Sequence, residues 1–119
     1  MPSKEIKELR QSGRLEEALA MAQAELDAQP DNIWGKRNIS WVYYEYLKKN
    51  VHEFNYEVFV AYLKKLQELN LPENEVMVFD TAAWQIASLI FKIQKQEPVD
   101  YSKINELLMV NREVSIRLK

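Results

Sequence analysis

The sequence predicts an all-α fold of stacked antiparallel helix pairs, and three observations carry that expectation. Apolar residues recur at three- and four-residue spacing almost throughout the chain, which is the period of a helix with one buried face. Runs of alternating β-branched residues between turn clusters, the mark of strands, are missing. Only two glycines occur, Gly13 and Gly35, too few for a succession of tight hairpin turns.

Six helices follow in order. The first spans about residues 3–12, with Ile6 and Leu9 as its apolar stripe and Gly13 at the left-handed position that ends a helix. The second spans 15–28, with Leu15, Ala18, Leu19, Ala22 and Leu26 on one face, and Pro30 closes the unit. Asp31 or Asn32 caps a third helix reaching about residue 49, and Asn55 caps a fourth ending near 69, with Val58, Phe59, Tyr62, Leu63, Leu66 and Leu69 at core spacing. After the Leu71-Pro72 break a fifth helix runs from about 73 to 96, its main stripe being Val76, Phe79, Ala83, Ile86, Ala87, Ile90 and Ile93. Asp100 or Ser102 opens the sixth, with Ile104, Leu107, Leu108, Val114 and Leu118 facing inward.

Two helices are apolar beyond one face. The third carries Trp34, Ile39, Trp41, Val42, Tyr43, Tyr44, Tyr46 and Leu47, and the fifth adds Met77, Val78, Trp84, Leu89 and Phe91 to its stripe. A helix apolar most of the way round is expected to lie between neighbours, so Trp84 is expected in the core, where Trp84→Ala would cost roughly 3 to 5 kcal/mol. An internal repeat points the same way. Pro30-Asp31-Asn32 returns as Pro72-Glu73-Asn74, at 72 − 30 = 42, and Ser40-Trp41 as Ala83-Trp84, at 84 − 41 = 43.

Composition bounds the chemistry. A chain of 119 residues is one domain's worth, so 1–119 reads as a single domain. The net charge of −2 is spread evenly, with eight basic and eight acidic residues up to Asn50 and eight and ten beyond it, which disfavours a polyanion partner. No cysteine is present, so thiolate metal sites, disulfides and thiol nucleophiles are excluded. Glycine-rich phosphate loops are excluded by the same two-glycine count. No leader-like apolar segment opens the chain and no apolar run approaches the ~20 residues of a membrane span, so a cytoplasmic location without membrane contact is expected. His52, the single histidine, stands between two helices beside Asn50 and Glu53 with no matching nucleophile or carboxylate pair. Glu16-Glu17 and Glu73 to Glu75 lie in first helical turns, where the helix dipole favours them. Lys48-Lys49, Lys92 and Lys95 lie in last turns for the converse reason. No enzyme, cofactor or metal is therefore expected.

Ser12-Gly13-Arg14-Leu15-Glu16-Glu17-Ala18-Leu19-Ala20-Met21-Ala22, followed by Pro30-Asp31-Asn32, resembles the second half of a tetratricopeptide repeat. Gly13, Leu15, Ala18 and Pro30 match the family's glycine, large apolar, alanine and proline places, and Trp34 with Trp41 resemble the aromatic positions opening the next repeat. The match covers Lys4 to Tyr44. The sequence departs from the family at Glu25, where a second alanine is usual, and at Asn38, where glycine is usual, and the third unit has no turn glycine. Residues Trp34 to Lys49 also resemble the helical N-terminal part of bacterial conflict-system proteins of the kind called TOTE, whose downstream cold-shock-like nucleic-acid-binding domain has no counterpart in this chain.

The first resemblance implies a right-handed solenoid of about six helices acting as a protein–protein interaction scaffold. Its rival is a helical spacer in a larger protein whose activity, nucleic-acid-related by the second resemblance, lies outside the chain. Because the first helix of each repeat lines the family's concave surface, Lys36, Arg37, Tyr43 and Tyr44 are implied as contacts for a protein or peptide, without direct nucleic-acid contact. In the sixth helix, Met109, Val110 and Ile116 stand off the core stripe and no stop signal follows, so these three are expected to form an interface for self-association or a downstream domain.

Overall fold

A computed structural model describes residues 2–72, 75 and 77–117, with the side chains of 3–72, 75 and 77–110. Its elements are α1 (Pro2–Gln11), α2 (Leu15–Ala28), α3 (Ile33–His52), α4 (Tyr56–Glu68), α5 (Met77–Gln94) and α6 (Tyr101–Arg117), and no strand occurs among the described residues. The expected first turn of the fifth helix falls partly outside those residues, as do the side chains of Val76, Val114, Ile116 and Leu118.

Helix ends follow local chemistry. Gly13 (φ 82°) ends α1, its N–H donating to the Arg10 carbonyl at 3.2 Å while the Arg14 N–H reaches the Leu9 carbonyl at 2.9 Å. This pair of bonds satisfies carbonyls that the last turn leaves without helical partners. The α3 end repeats the device without glycine: Phe54 adopts φ 57° and donates to the Val51 carbonyl, and Asn55 donates to the Asn50 carbonyl at 2.8 Å. Asn55 then caps α4 by accepting from the Val58 N–H at 3.2 Å. Asn32, rather than Asp31, caps α3 through the Trp34 N–H, and Asp100, rather than Ser102, caps α6 through the Lys103 N–H. His52 is the exposed last residue of α3, not a loop residue.

Helix α3 is the hub: it packs against α1, α2, α4 and α5, while α5 packs against α3 and α6. The core follows from this arrangement. Ile39, Val42, Tyr43, Tyr46, Leu47 and Val51 of α3 meet Phe59, Leu63 and Leu66 of α4, with Val78, Phe79, Ala82, Ile86, Leu89 and Ile93 of α5 and Ile104 and Leu107 of α6 continuing the cluster. The α-carbon extents of 48 × 31 × 19 Å describe a slab whose thin dimension fits two helix layers. A half-buried cation closes one join: the Lys92 ammonium donates to the Val51 carbonyl at 2.7 Å, tying α5 to the electronegative end of α3.

The two departures from the tetratricopeptide pattern meet each other. The Asn38 side-chain amide donates to the Glu25 carboxylate at 2.8 Å and to the Ser3 hydroxyl at 2.9 Å, so polar pairing stands between α2 and α3 where small residues are usual. Gly35, buried on the same side, brings α3 close to Glu25 and Leu26.

One expectation is overturned. Trp84 is 71% exposed, and Met77 and Phe91 are exposed with it. All-round apolar composition does place α3 between neighbours, because four helices surround it. Among the described residues helix α5 has two, which cover the arc carrying Phe79, Ala82, Ile86 and Ile93 and leave the opposite arc in water. Ala87 is likewise exposed and Ala83 half-buried, and Leu108 of the sixth stripe is half-exposed.

Candidate protein-binding face

Residues seven apart nearly superpose along a helix, since two turns span 7.2 residues. On α3 that spacing links Trp34, Trp41 and Lys48; on α5 it links Met77, Trp84 and Phe91. The two triplets are related by the repeat already seen in the sequence, because 77 − 34, 84 − 41 and 91 − 48 all equal 43. The α5 triplet is exposed; on α3 Trp34 and Lys48 are exposed while Trp41 is half-buried at the edge of the core, and α3 and α5 are neighbours.

On α3 this band is partly covered and electrostatically paired. The Arg10 guanidinium lies 5.6 Å from the centre of the Trp41 ring and forms an ion pair with Glu45 at 3.7 Å, joining α1 to α3. Trp41 meets Tyr44 edge to face at 5.6 Å, and the Tyr44 hydroxyl accepts from the Gln85 amide of α5 at 3.2 Å. Arg37 stacks over Trp34 at 4.5 Å while its guanidinium holds Glu75 through two hydrogen bonds, one of them from Nε at 3.0 Å. On α5 the cover is slight: the Lys95 ammonium sits 4.3 Å from the centre of the Phe91 ring, and Ser88, one turn from Trp84, points its hydroxyl back to the Trp84 carbonyl.

The four contacts implied by resemblance do not share one surface. Arg37 and Tyr44 stand on the side of α3 that meets α5 and the segment holding Glu75. Tyr43 stands on the side facing α4, where it is buried with its ring 5.8 Å from that of Tyr62, and Lys36, seven residues earlier, is half-buried on the same helical line. Tyr43 forms the floor of a separate cleft of about 390 Å³ between α2 and α4, lined also by Leu19, Ala20, Tyr46 and Tyr62 and rimmed by Glu16, Gln23 and Lys65. There Tyr46 and Tyr62 stack in parallel at 4.3 Å. Burial raises the phenol pKa values of Tyr43, Tyr46 and Tyr62 above the usual tyrosine value. Of the expected α6 interface, Met109 is exposed, Val110 leans on the core, and the Ile116 side chain lies outside the described residues.

Sequence reasoning missed Met77, Trp84 and Phe91 as surface residues because it placed Trp84 in the core. The signal was present in the 43-residue repeat, which pairs Met77 and Trp84 with Trp34 and Trp41 of α3.

No family model matches this chain, and comparison with curated proteins and with solved structures found no match. Among the described residues, no helix is long and apolar enough to cross a membrane and no group of His, Asp and Glu is placed to hold a metal ion.

Proposed function

We propose that this chain is a non-enzymatic protein–protein interaction scaffold of tetratricopeptide-like type, its six helices forming a right-handed stack of antiparallel pairs. The observation that carries the reading is the exposed line of Met77, Trp84 and Phe91 on α5, beside the aromatic band of α3. Large apolar side chains aligned in water raise the free energy of an isolated chain without contributing to its core, and Trp, Met and Phe are the residue types enriched where proteins bind one another. The helix contacts support the architectural part. α1, α3 and α5 touch in succession, and α2, α4 and α6 each pack on the helix before them, as the two helices of a hairpin do. The partner is a protein or peptide, and the arginines of the band, each already paired with a glutamate, offer little free charge to nucleic acid.

A photoreactive amino acid in place of Ser88, next to Trp84, tests the reading in the source organism. The expected result is a discrete protein adduct that is absent when the photoreactive group replaces exposed Glu57 on α4 and is lost on Trp84→Ala. Equal labelling from both positions, or none from position 88, would favour the structural-spacer reading instead.

A further inference from the structure

Resting on that reading, we infer that the partner seated on the face of α1, α3 and α5 is an acidic amphipathic peptide segment, its apolar side chains against Trp84 and Phe91 and its carboxylates on Lys7, Lys48 and Lys95. Charge is even along the sequence but uneven in space. α1, α3 and α5 carry three, four and one basic residues against two, one and one acidic, whereas α2, α4 and α6 carry none, two and three against four, two and two. Within the first of these layers the acids are turned aside or neutralised. Glu5 and Glu8 border a cleft on the α2 side of α1, together with Arg14 and Glu17. Arg10 holds Glu45 and Arg37 holds Glu75, while Asp80 stands at the outer edge of α5, on the side of Trp84 away from Gln85 and α3.

The lysines of the same face keep their charge. Lys4, Lys7 and Gln11 share one line of α1, and Gln11 borders a cleft with Arg10, Glu45 and Lys48. Exposed Lys4, Lys7 and Lys48 have no acidic partner among the described residues. The Lys95 ammonium rests on the Phe91 ring and that of Lys92 on backbone carbonyls, neither of which cancels a charge. Helix stability does not account for all of them, because Lys4 stands in the first turn of α1, where the dipole disfavours a cation.

Cations and apolar surface are interleaved. Arg37 meets Glu75, Tyr44 meets Gln85 and Val51 meets Lys92, so α3 and α5 run side by side in one direction and Lys48 stands level with residues 88 to 92 of the Trp84 line. Packed helix axes lie about 8–10 Å apart, which puts α1 and α5, on either side of α3, roughly 16–20 Å from each other. A single carboxylate cannot reach both Lys7 and Lys95. A segment bearing several acids can, over roughly 12 residues of helix at about 1.5 Å each. A nucleic acid fits less well, since a strand charged at every nucleotide would meet Met77 and Asp80 along half of the α5 line, and Arg10 and Arg37 are already engaged by glutamates.

Selection from a random library of peptides of about 16 residues, displayed on phage and panned on the folded chain, tests the inference without a known partner. The enriched pool is expected to be net acidic and to carry aromatic or aliphatic residues among its acids. An enriched peptide, synthesised with an amidated C-terminus and followed by fluorescence anisotropy, should bind at least about tenfold more weakly to the Lys48→Glu, Lys95→Glu double variant, and more weakly as salt rises. Lys64→Glu with Lys65→Glu, the same charge change on α4, should leave binding within about twofold. Should the double variant lose its helical circular-dichroism signal, Lys7→Glu repeats the test from α1. A neutral or basic pool, acidic peptides indifferent to Lys7, Lys48 and Lys95, no enrichment at all, or tighter binding of a single-stranded oligouridylate would overturn the inference. A neutral pool whose binding is lost on Trp84→Ala would refute the acidic partner and leave the scaffold reading standing.

Discussion

Phe59→Ala is expected to destabilise the chain by about 3 to 5 kcal/mol, whereas Trp84→Ala, a larger truncation by volume, should change stability by less than about 0.5 kcal/mol. Phe59 has no exposed surface and stands in the α4 face that meets α3, so its removal takes away buried area and leaves a cavity that the hub helix cannot collapse to fill. Trp84 holds most of its surface in water, and its loss creates no cavity. Urea denaturation of both variants under monomeric conditions checks the contrast. A midpoint shift for Trp84→Ala comparable to that for Phe59→Ala would place Trp84 in the core after all.

Asn50→Asp should cost about 3 kcal/mol at neutral pH. Asn50 is buried near the end of α3, and its amide donates to the Tyr46 carbonyl at 2.7 Å, a bond a carboxylate cannot make. The new charge would face a carbonyl oxygen and the negative end of the helix dipole with little water around it. Both effects favour the protonated acid, so the folded-state pKa would lie above the unfolded value of about 3.9. A group whose pKa is raised by folding is least costly below its unfolded pKa, and stability is lost as pH rises through the window above it. The variant should therefore approach the parent near pH 4 and fall away toward pH 7. A penalty independent of pH would mean that lost shape, not buried charge, is responsible.

The fold was legible where one residue determines one local event. Gly13 announced the left-handed end of α1, and Asn55 announced the cap of α4, because few side chains perform those tasks. Period gave Phe59, Leu63 and Leu66 of the α4 core, with Tyr62 and Leu69 at its margin, but missed buried Val60. The α5 stripe was less legible, since hydrophobicity around a helix counts how many sides could be buried and says nothing about how many neighbours arrive. Helix α3 and helix α5 look alike in composition, yet among the described residues one has four neighbouring helices and the other two. Site residues suffered for a related reason. Tyr43 and Tyr44 are adjacent in sequence but about 100° apart around the helix, so one joins the α4 side and the other the α5 side. The αL ending at Phe54 was invisible because a bulky residue there is uncommon, and only the bonds to Val51 and Asn50 reveal it.

The central claim is that the α5 line is bare in the isolated chain. Acrylamide quenching of Trp84 emission, recorded in a Trp34→Phe, Trp41→Phe background at low protein concentration, measures it directly. The account predicts quenching close to that of free indole. Emission protected from acrylamide would place Trp84 inside its own chain and contradict the account.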